Sequence, residues 1–532
     1  MRIERRTLAL LVLPFALAIA AAYVQWAVAG LPPLPAPEHL SQQTAVQPYG
    51  FPVWLRVTHW VSFFFIILLV RSGLQILADH PRLYWNVHCT PNSEWLRLTP
   101  VQVPTDRVWT AKDDSRYLTP WIGLPGYRYT IGMARHWHFL SVLFWIGNGL
   151  AFVILLLITP QWRRLVPTSW RIVPDAWMVF VHYATLHMPA EPDGFYQYNA
   201  LQQLAYFAVI FILAPLAILT GPSMSPAFTA QFSWYPKLPG NRQIGRSVHF
   251  LVMCAFVGFI VVLMVAVTGF ARNMNHIMMG TDAVNPIGLY CFFAMIGGIV
   301  LFNAFANYMA WRRPRTVQHV ARAIVRPVMW FLLDRAAPRS EFSAADISPF
   351  FWANGKMPTC QEWKVLANDS FARYRLEVFG LVDNPVELSL NDLLTMGRKT
   401  QITLHHCIQG WSGIAEWGGL PLNDLIELVR PKPQARAVVF YSFGEGAEGG
   451  EFYDSLSLAD ALHPQTLLAY EMNSKPLGPL HAPLRLRVEN QLGFKMVKWI
   501  RAIEFVDDVG RIHKGEGGYN EDNEYFGELA NI

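Results

Sequence analysis

The chain has 532 residues, enough for two or three domains, of which 53% are hydrophobic and only 15% are charged. Since about 25% of the residues of a typical soluble domain are charged, the composition excludes a wholly soluble protein and predicts a membrane protein with a soluble C-terminal half. The net charge of +5 is modest, and the arginines lie mainly between apolar runs. We interpret these arginines as residues that set the orientation of the membrane helices, and we predict no nucleic-acid partner.

The first apolar run, residues 8–29, follows Arg2, Arg5 and Arg6. Residues 1–30 are predicted to be an N-terminal membrane anchor or a signal-like helix. The run is long for the core of a signal peptide, which favours an uncleaved anchor.

Five further apolar runs reach the roughly 20 residues that a membrane-spanning helix needs. They predict an all-α transmembrane domain over residues 50–311. The stretch 175–188 is shorter and more polar, so it is predicted to be a helix at the membrane interface. Residues 312–342 form a basic amphipathic linker that we expect to lie on anionic headgroups. The predicted spans are 54–78, 137–160, 200–221, 247–271 and 287–311.

Residues 343–515 have the pattern of a soluble α+β domain, and residues 516–532 follow as a C-terminal tail. The segments "RYRLEVFGLV", "ARAVVFYSF" and "APLRLRVEN" are predicted strands between turn residues. The segments "LSLNDLLTM", "LPLNDLIELV" and "LSLADALH" are predicted short helices that open with Ser or Asn caps.

Histidines within the membrane segments are the first candidate site. Burying an ionisable group in a membrane costs free energy, so such a group is taken as a candidate for a functional role. His138 and His249 each lie about two residues into the second and fourth of the five spans. These spans begin on the same side of the membrane, so the two imidazoles share one depth. A lone histidine at such a position is more often interfacial, whereas a facing pair suits axial ligation of one haem b iron.

His59 begins the first of the five spans and therefore lies near the opposite face. A second haem there needs a ligand about 14 residues beyond His249, at about 1.5 Å per residue. Those positions hold Leu263 and Met264. The residues thus predict one haem b and leave a second one in doubt, with His59 and Met264 as its only candidate ligands.

The motifs "LRVTHW…RSG", "RHWHF", "LAYFAVIFILAPLAILTG" and "RSVHF…VTGF" resemble the bacterial cytochrome b561 family, with the haem subunits of formate dehydrogenase and thiosulfate reductase. The resemblance covers about residues 50–310. It implies a subunit that passes electrons between a quinone pool and a catalytic unit. The departure from the family pattern is Leu263, where a second histidine is usual.

The segment "LHHCIQGWSG" places Cys407 behind two histidines. The odd number of cysteines without CxxC spacing argues against a disulfide framework. Zinc would need further ligands, and the adjacent His405 and His406 point to opposite faces of a strand. A catalytic nucleophile would need a base held by a third group. Read alone, the segment leaves these alternatives open beside a buried inert cysteine.

Together with "AYEMN…PL…HAPLRLR" and "GFKMVKW", this segment resembles the sulfite oxidase superfamily of molybdopterin enzymes, in particular its bacterial branch that reduces protein methionine sulfoxide. The resemblance covers nearly all of residues 345–510. It implies that Cys407 supplies a thiolate to molybdenum. The remaining implied cofactor contacts are Arg485, Lys495, Lys498, Ser442 and Asn354.

The two resemblances imply a multi-domain molybdenum oxidoreductase that moves electrons between quinone, haem b and a molybdopterin centre. Its reaction would be oxygen-atom transfer to or from a small substrate, as in sulfoxide reduction or sulfite oxidation, and the form "CIQGWS" favours reduction. The alternative is a non-catalytic electron-transfer subunit that serves a separate redox enzyme.

The chain is expected to be a multi-pass protein of the inner (cytoplasmic) membrane. Lysines and arginines are in excess in the loops on the side of the soluble domain, which favours a cytoplasmic location of that domain. The soluble relatives act in the periplasm, so the resemblance favours the other side, and of the two we expect the cytoplasmic side.

Overall fold

The structure is a computed structural model of the chain. It describes residues 2–35, 51–127, 131–187, 198–232, 234–266, 270–280, 285–333, 342–446 and 450–513. The predicted C-terminal tail, residues 516–532, lies outside these ranges. The first half of the chain is helical and the second half is built on two sheets, as the sequence predicts.

Six helices among the described residues are long and apolar enough to cross a membrane, which matches the predicted number of spans. They are α1, α2, α3, α5, α7 and α9. The short helix α4 corresponds to the predicted interfacial helix, and α10 falls in the predicted basic linker. The helices are α1 (Arg5–Ala29), α2 (Val53–Asp79), α3 (Ile131–Ile158), α4 (Ile172–Ala184), α5 (Ala200–Ser223), α6 (Pro226–Gln231), α7 (Arg242–Ala266), α8 (Phe270–Met279), α9 (Pro286–Arg312) and α10 (Pro314–Leu333).

We call the membrane face that meets the soluble half the proximal side and the other face the distal side. Helices α3 and α7 begin on the proximal side, at Ile131 and Arg242, five or six residues earlier than the hydropathy pattern predicts. Arg135 and Gln243 near these helix starts donate hydrogen bonds to the soluble half. His138 and His249 therefore lie seven residues into their helices, deeper than predicted, and still at equal depth.

The proximal loop, residues 80–127, connects α2 to α3. It contains β2 (Arg82–Leu83) and β3 (Leu96–Arg97), and β3 also pairs with β1 (Arg2–Ile3). The sheet order β1-β3-β2 fixes the start of the chain on the proximal side.

The soluble half contains two five-stranded sheets. One has the order β11-β10-β7-β6 with β12 also paired to β10, and the other has the order β5-β4-β13-β8-β9. Only the β4–β13 pair is parallel among the pairs of these sheets. The strands are β4 (Arg375–Gly380), β5 (Val386–Ser389), β6 (Lys399–His406), β7 (Ser412–Pro421), β8 (Ala437–Glu445), β9 (Glu451–Ser457), β10 (Leu467–Met472), β11 (Lys475–Pro476), β12 (Arg485–Arg487) and β13 (Ile500–Val506).

Four short helices pack on these sheets around a shared apolar core. Two of the predicted caps are present, since Ser389 and Ser457 each accept a hydrogen bond from a backbone N–H three residues later. The third predicted cap is absent, because α13 follows Pro421, whose ring offers no acceptor. The helices are α11 (Gln361–Asn368), α12 (Leu390–Met396), α13 (Leu422–Val429) and α14 (Leu458–Ala461).

Candidate functional site

Cys407 lies in the tight turn between β6 and β7. The backbone N–H of Cys407 donates to Trp411 O (3.1 Å), and the N–H of Gly410 donates to Cys407 O (3.1 Å). Gly410 has a φ of +102°, a conformation that side chains disfavour, which explains the glycine of the motif. The thiol is 3% exposed, and burial raises its pKa to about 12.

Two predicted cofactor contacts stand beside this thiol. Asn354 Nδ2 lies 3.8 Å from Cys407 Sγ, and Lys498 Nζ donates to Asn354 O. Burial, followed by the charge of Arg485, holds the pKa of Lys498 well below its usual value. The ammonium also lies 3.9 Å from the ring centre of Trp499.

Arg485 is the second cation of this site and is buried, at 3% exposure. Its Nη1 is 3.0 Å from His481 Nδ1, and its guanidinium carbon lies 4.9 Å from the ring centre of Trp417. Burial, followed by the charge of Arg487, holds the pKa of Arg485 well below its usual value. Arg487 differs because it forms a bidentate ion pair with Glu489, with distances of 2.9 and 2.8 Å.

The residues around Cys407 fit a thiolate-held metal with an anionic cofactor. Within the described ranges, Arg485 Nε and Trp417 Nε1 are buried without a hydrogen-bond partner. Buried polar atoms are nearly always paired, so two unpaired donors beside two cations without a carboxylate partner indicate a missing acceptor. A phosphate and a polar ring system would satisfy these donors, and a metal would hold Cys407 as the thiolate.

Two of the predicted cofactor-binding residues, Ser442 and Lys495, bind other groups of the protein. Ser442 Oγ donates to Lys498 O (2.7 Å) and accepts from Gly444 N (2.9 Å), so it supports the backbone behind Lys498. Lys495 Nζ forms a buried ion pair with Asp454 Oδ1 at 2.5 Å. The structure therefore brings Cys407, Asn354, Arg485 and Lys498 together and places Lys495 in an ion pair.

The two histidines of the motif point to opposite faces of β6, as strand alternation predicts. His405 Nδ1 contacts Arg487 Nη1 (3.0 Å), and burial followed by the charge of Arg485 keeps its pKa well below the usual value. His406 Nδ1 instead faces Arg242 Nη1 of α7 at 3.3 Å. The sequence reasoning did not select His481, Trp417 or Gln409 as site residues, although "HAPLRLR" and "CIQGWS" contain two of them.

The rings of His138 and His249 face each other in the membrane half, with centroids 6.4 Å apart. His138 Nδ1 is 3.0 Å from Ser72 Oγ, and His249 Nδ1 is 2.9 Å from Thr220 Oγ1. Both hydroxyls donate to the carbonyl four residues earlier in their own helix, at 2.7 Å. They therefore accept from the two Nδ1–H groups, which leaves both Nε2 lone pairs for a metal.

The spacing of this pair fits one haem. A bond from a metal to an imidazole nitrogen is about 2 Å, so two imidazoles on opposite sides of one iron have ring centres about 6 Å apart. The hydroxyl partners are the outer contacts that orient ligating histidines in known metal sites. The predicted pair therefore has the chemistry and the separation of two histidines that would hold one haem iron.

His59 and His136, two other histidines of the membrane half, have different contacts. His59 is 13 residues before Ser72 on α2, about 20 Å along the helix, and packs on Trp60 with ring centres 5.7 Å apart. The side chains of Leu263 and Met264 lie outside the described residues. The proposal of a second haem at His59 therefore stays a prediction. His136 Nδ1 contacts Gly132 O of its own helix at 2.8 Å.

The two candidate sites are adjacent. Arg135 Nη2 donates to Ile408 O (2.7 Å), and Gln243 Nε2 donates to Gly410 O (3.1 Å). His138 follows Arg135 by three residues, about 4.5 Å along α3, and His249 follows Gln243 by six, about 9 Å along α7. The turn that carries Cys407 therefore rests on the helix ends that carry the histidine pair.

Two protein-family models match the chain. Residues 50–277 match the family described as "Prokaryotic cytochrome b561". Residues 363–512 match the family described as "Oxidoreductase molybdopterin binding domain". The matches confirm the predicted fold class and the two predicted cofactors, haem b and molybdopterin.

Three relatives illustrate the similarity. The subunit named YedZ1 of Azospira oryzae is 34% identical over 155 residues, 29% of this chain and 55% of that protein. The protein-methionine-sulfoxide reductase catalytic subunit MsrP of Campylobacter jejuni is 30% identical over 26% of this chain and 52% of its own length. The uncharacterized oxidoreductase YuiH of Bacillus subtilis is 34% identical over 26% of this chain and 69% of its own length. The chain thus spans about half the length of the first two.

Proposed function

The chain belongs to the molybdopterin-binding oxidoreductases and carries a prokaryotic cytochrome b561 domain, and we propose that it is a membrane-bound molybdenum enzyme that exchanges electrons with quinone through haem b. The proposed reaction is oxygen-atom transfer at sulfur. Relatives named for the reduction of protein methionine sulfoxide favour the reducing direction, and sulfite-type oxidation is the reverse case.

One observation carries this proposal. The Cys407 turn is hydrogen-bonded to the first turns of α3 and α7, the helices that hold His138 and His249. Because the histidine pair lies within about 10 Å of these contacts along the helices, electrons need no third carrier between the two sites. A subunit that served a separate enzyme would have no use for this contact.

The residues divide the chemistry between the two halves. When bound, molybdopterin supplies two-electron oxygen-atom transfer, and haem b supplies one-electron transfer through the membrane. In our proposal Cys407 holds the metal, and Arg485 and Lys498 bind the anionic part of the cofactor. Reduction of one sulfoxide to a sulfide and water consumes two electrons and two protons, and oxidation of one quinol to a quinone releases the same number of each.

A cavity of about 430 Å³ near the distal side fits the quinone ring. Its wall is apolar, and the polar groups are the guanidinium of Arg56 and Trp60 Nε1, which is buried without a partner within the described ranges. The cavity reaches Phe65, seven residues before Ser72 and so about 10 Å from the residue that contacts His138. These contacts suit a flat apolar ring with carbonyl acceptors.

We further propose that the proximal side is the cytoplasmic side of the inner membrane. The excess of lysines and arginines in the proximal loops supports this orientation by the positive-inside rule.

The test is to purify the chain and to quantify molybdenum, pterin and haem per polypeptide. We expect about one molybdenum and at least one haem b, haem reduction by a short-chain quinol, and haem reoxidation when a sulfoxide is added. The Cys407→Ser variant should lose more than about 100-fold of the reoxidation rate, since even outer partners of a metal cost about 10–100-fold.

The matched control is Cys360→Ser, because Cys360 is an exposed thiol whose hydrogen-bond partner is Phe443 O. It should behave as the wild type. Haem without molybdenum in the purified chain would contradict the enzyme and support the electron-transfer subunit instead.

A further inference from the structure

The face of the soluble half that carries Cys407 is covered by the membrane half. Arg135 and Gln243 bind the carbonyls of Ile408 and Gly410 at 2.7 and 3.1 Å. A Cβ on Gly410 would lie 3.2 Å from the guanidinium carbon of Arg246, closer than ordinary van der Waals contact. The turn and the helix ends are therefore in direct contact, without space for another chain between them.

Gln409 extends this contact to the proximal loop and the end of α2. Its side chain is fully buried, and its Nε2 donates to Asp79 O (3.1 Å) and to Ser115 Oγ (3.2 Å). Its Oε1 accepts from Trp411 Nε1 (2.9 Å) and lies 3.9 Å from Cys407 Sγ. The residue that borders the thiol is thus also the residue that binds the cover.

The segment that brings Asn354 to the thiol is held by the same loop. Trp352 Nε1 donates to Cys89 O (2.6 Å), and Ala111 N donates to Ala353 O (2.7 Å). Side chains of both halves form one apolar cluster around these contacts. Both chain segments beside the thiol are therefore covered.

The proximal loop, which is part of this cover, is held in place by buried ion pairs and by a contact with α7. Arg82, inside the proximal loop, pairs with Asp114 (2.7 Å) and with Glu94 (3.0 Å), and the side chains of all three are at most 1% exposed. Arg246 Nη1 donates to Arg82 O (3.0 Å), which fixes the loop to α7. Breaking buried ion pairs is strongly destabilising, so the loop keeps its own fold, and the contacts of Cys89, Ala111 and Ser115 hold it against the soluble half.

We propose that the membrane half is a lid on the molybdenum pocket, which therefore accepts small free sulfur–oxygen compounds and excludes sulfoxides held in a polypeptide. The inference rests on the proposed function. A sulfoxide in a polypeptide brings its flanking backbone, and an extended chain needs a groove about 5 Å wide. The half-buried residues beside Cys407 include Asn354 and Lys498, which the cofactor would contact, and His406 and Arg135, which lie where the turn meets α7 and α3.

The test is a size series with one reacting group and the holoenzyme driven by a short-chain quinol. The substrates are free methionine sulfoxide, its N-acetyl methylamide, a hexapeptide with one central methionine sulfoxide, and an unfolded oxidised protein. We expect turnover of the free compound and loss of turnover as the flanking chain lengthens. Equal kcat/KM for the free and the protein-bound sulfoxide would overturn the lid.

Hydrogen–deuterium exchange tests the lid without turnover. In the holoenzyme the amides of residues 405–413 and 350–354 should exchange as slowly as those of the inner strand β8, whereas rapid exchange in both segments would overturn the lid. If neither free nor protein-bound sulfoxide nor sulfite reacts, the proposed function fails, and the exchange result alone decides about the lid.

Discussion

Lys495 and Lys498 belong to one motif, and the structure gives them different roles. Lys495 is 2% exposed and pairs with Asp454, whereas Lys498 faces Asn354 beside the thiol and has no carboxylate partner within the described ranges. Sequence reasoning could not separate the two, because the partner of Lys495 lies 41 residues away in β9.

The Lys495→Met variant is expected to lower the free energy of unfolding of the soluble half by about 3–5 kcal/mol, since it removes the buried cation that pairs with the Asp454 carboxylate. Its pterin content should stay normal. The Lys498→Met variant should lose pterin with a smaller effect on stability. Thermal unfolding and fluorometric pterin assay measure the two effects.

A double variant, Lys495→Met with Asp454→Leu, is the control, because it removes both charges of the pair and should regain most of the stability. Loss of pterin in Lys495→Met at unchanged stability would instead make Lys495 a cofactor contact.

Ser72 and Thr220 orient the proposed haem ligands through Nδ1. Ser72→Ala and Thr220→Val each remove one acceptor, so we expect haem affinity to fall by about 10–100-fold and the haem midpoint potential to shift. Haem per polypeptide after detergent exchange and a redox titration measure these effects.

Thr58→Val is the matched control, because Thr58 Oγ1 also donates to the carbonyl four residues earlier, Trp54 O (2.8 Å), and has no histidine partner in its hydrogen bonds. Equal haem loss in all three variants would show that the hydroxyls act on helix stability only.

At the scale of elements, the spans were predictable from hydropathy, but the starts of α3 and α7 were not. Arg135, Arg242 and Gln243 interrupt the apolar runs, and the pattern therefore places the helix starts after them. In the structure these side chains bind the Cys407 turn, so the polar turns are helical. The contact that links the two sites thus lies in the residues that hydropathy assigns to loops.

The short turn of "GFKMVKW" packs on β6 through Gly493. A Cβ at this position would lie 2.3 Å from His405 Cε1, and His405 is itself held by Arg487 and Met496. We expect Gly493→Ala to destabilise the soluble half by about 1–3 kcal/mol through overpacking.

Gly478→Ala is the control for this substitution, since nothing lies within 4 Å of the Cβ it would add. Thermal unfolding of the two variants should differ by several degrees. Equal melting temperatures would mean that the turn moves to accept the methyl group.

At the scale of the molecule, the sequence predicted two halves and their cofactors, because each half has its own motifs. It did not predict that the membrane half covers the Cys407 face. The contacts of Gln409 with Asp79 and Ser115 join residues about 300 positions apart, and no local pattern of "CIQGWS" encodes such a partner. Long-range contacts between domains depend on the docked arrangement, which periodicity and propensity do not determine.

The even number of spans makes a final prediction about topology. Arg2 and Ile3 pair with β3 of the proximal loop, and the soluble half lies on that loop, so the start of the chain and residues 342–513 share one side of the membrane. The connection between α3 and α4 lies on the distal side and exposes 89% of Trp170.

An impermeant maleimide should therefore label Arg6→Cys and Lys356→Cys from one side and Trp170→Cys from the other, in a Cys360→Ser background. By the positive-inside rule we expect label at Trp170→Cys in intact cells and at the other two only in inverted vesicles. Label at Arg6→Cys and Trp170→Cys from the same side would mean that α1 does not cross the membrane, and label at Lys356→Cys in intact cells would place the soluble half in the periplasm.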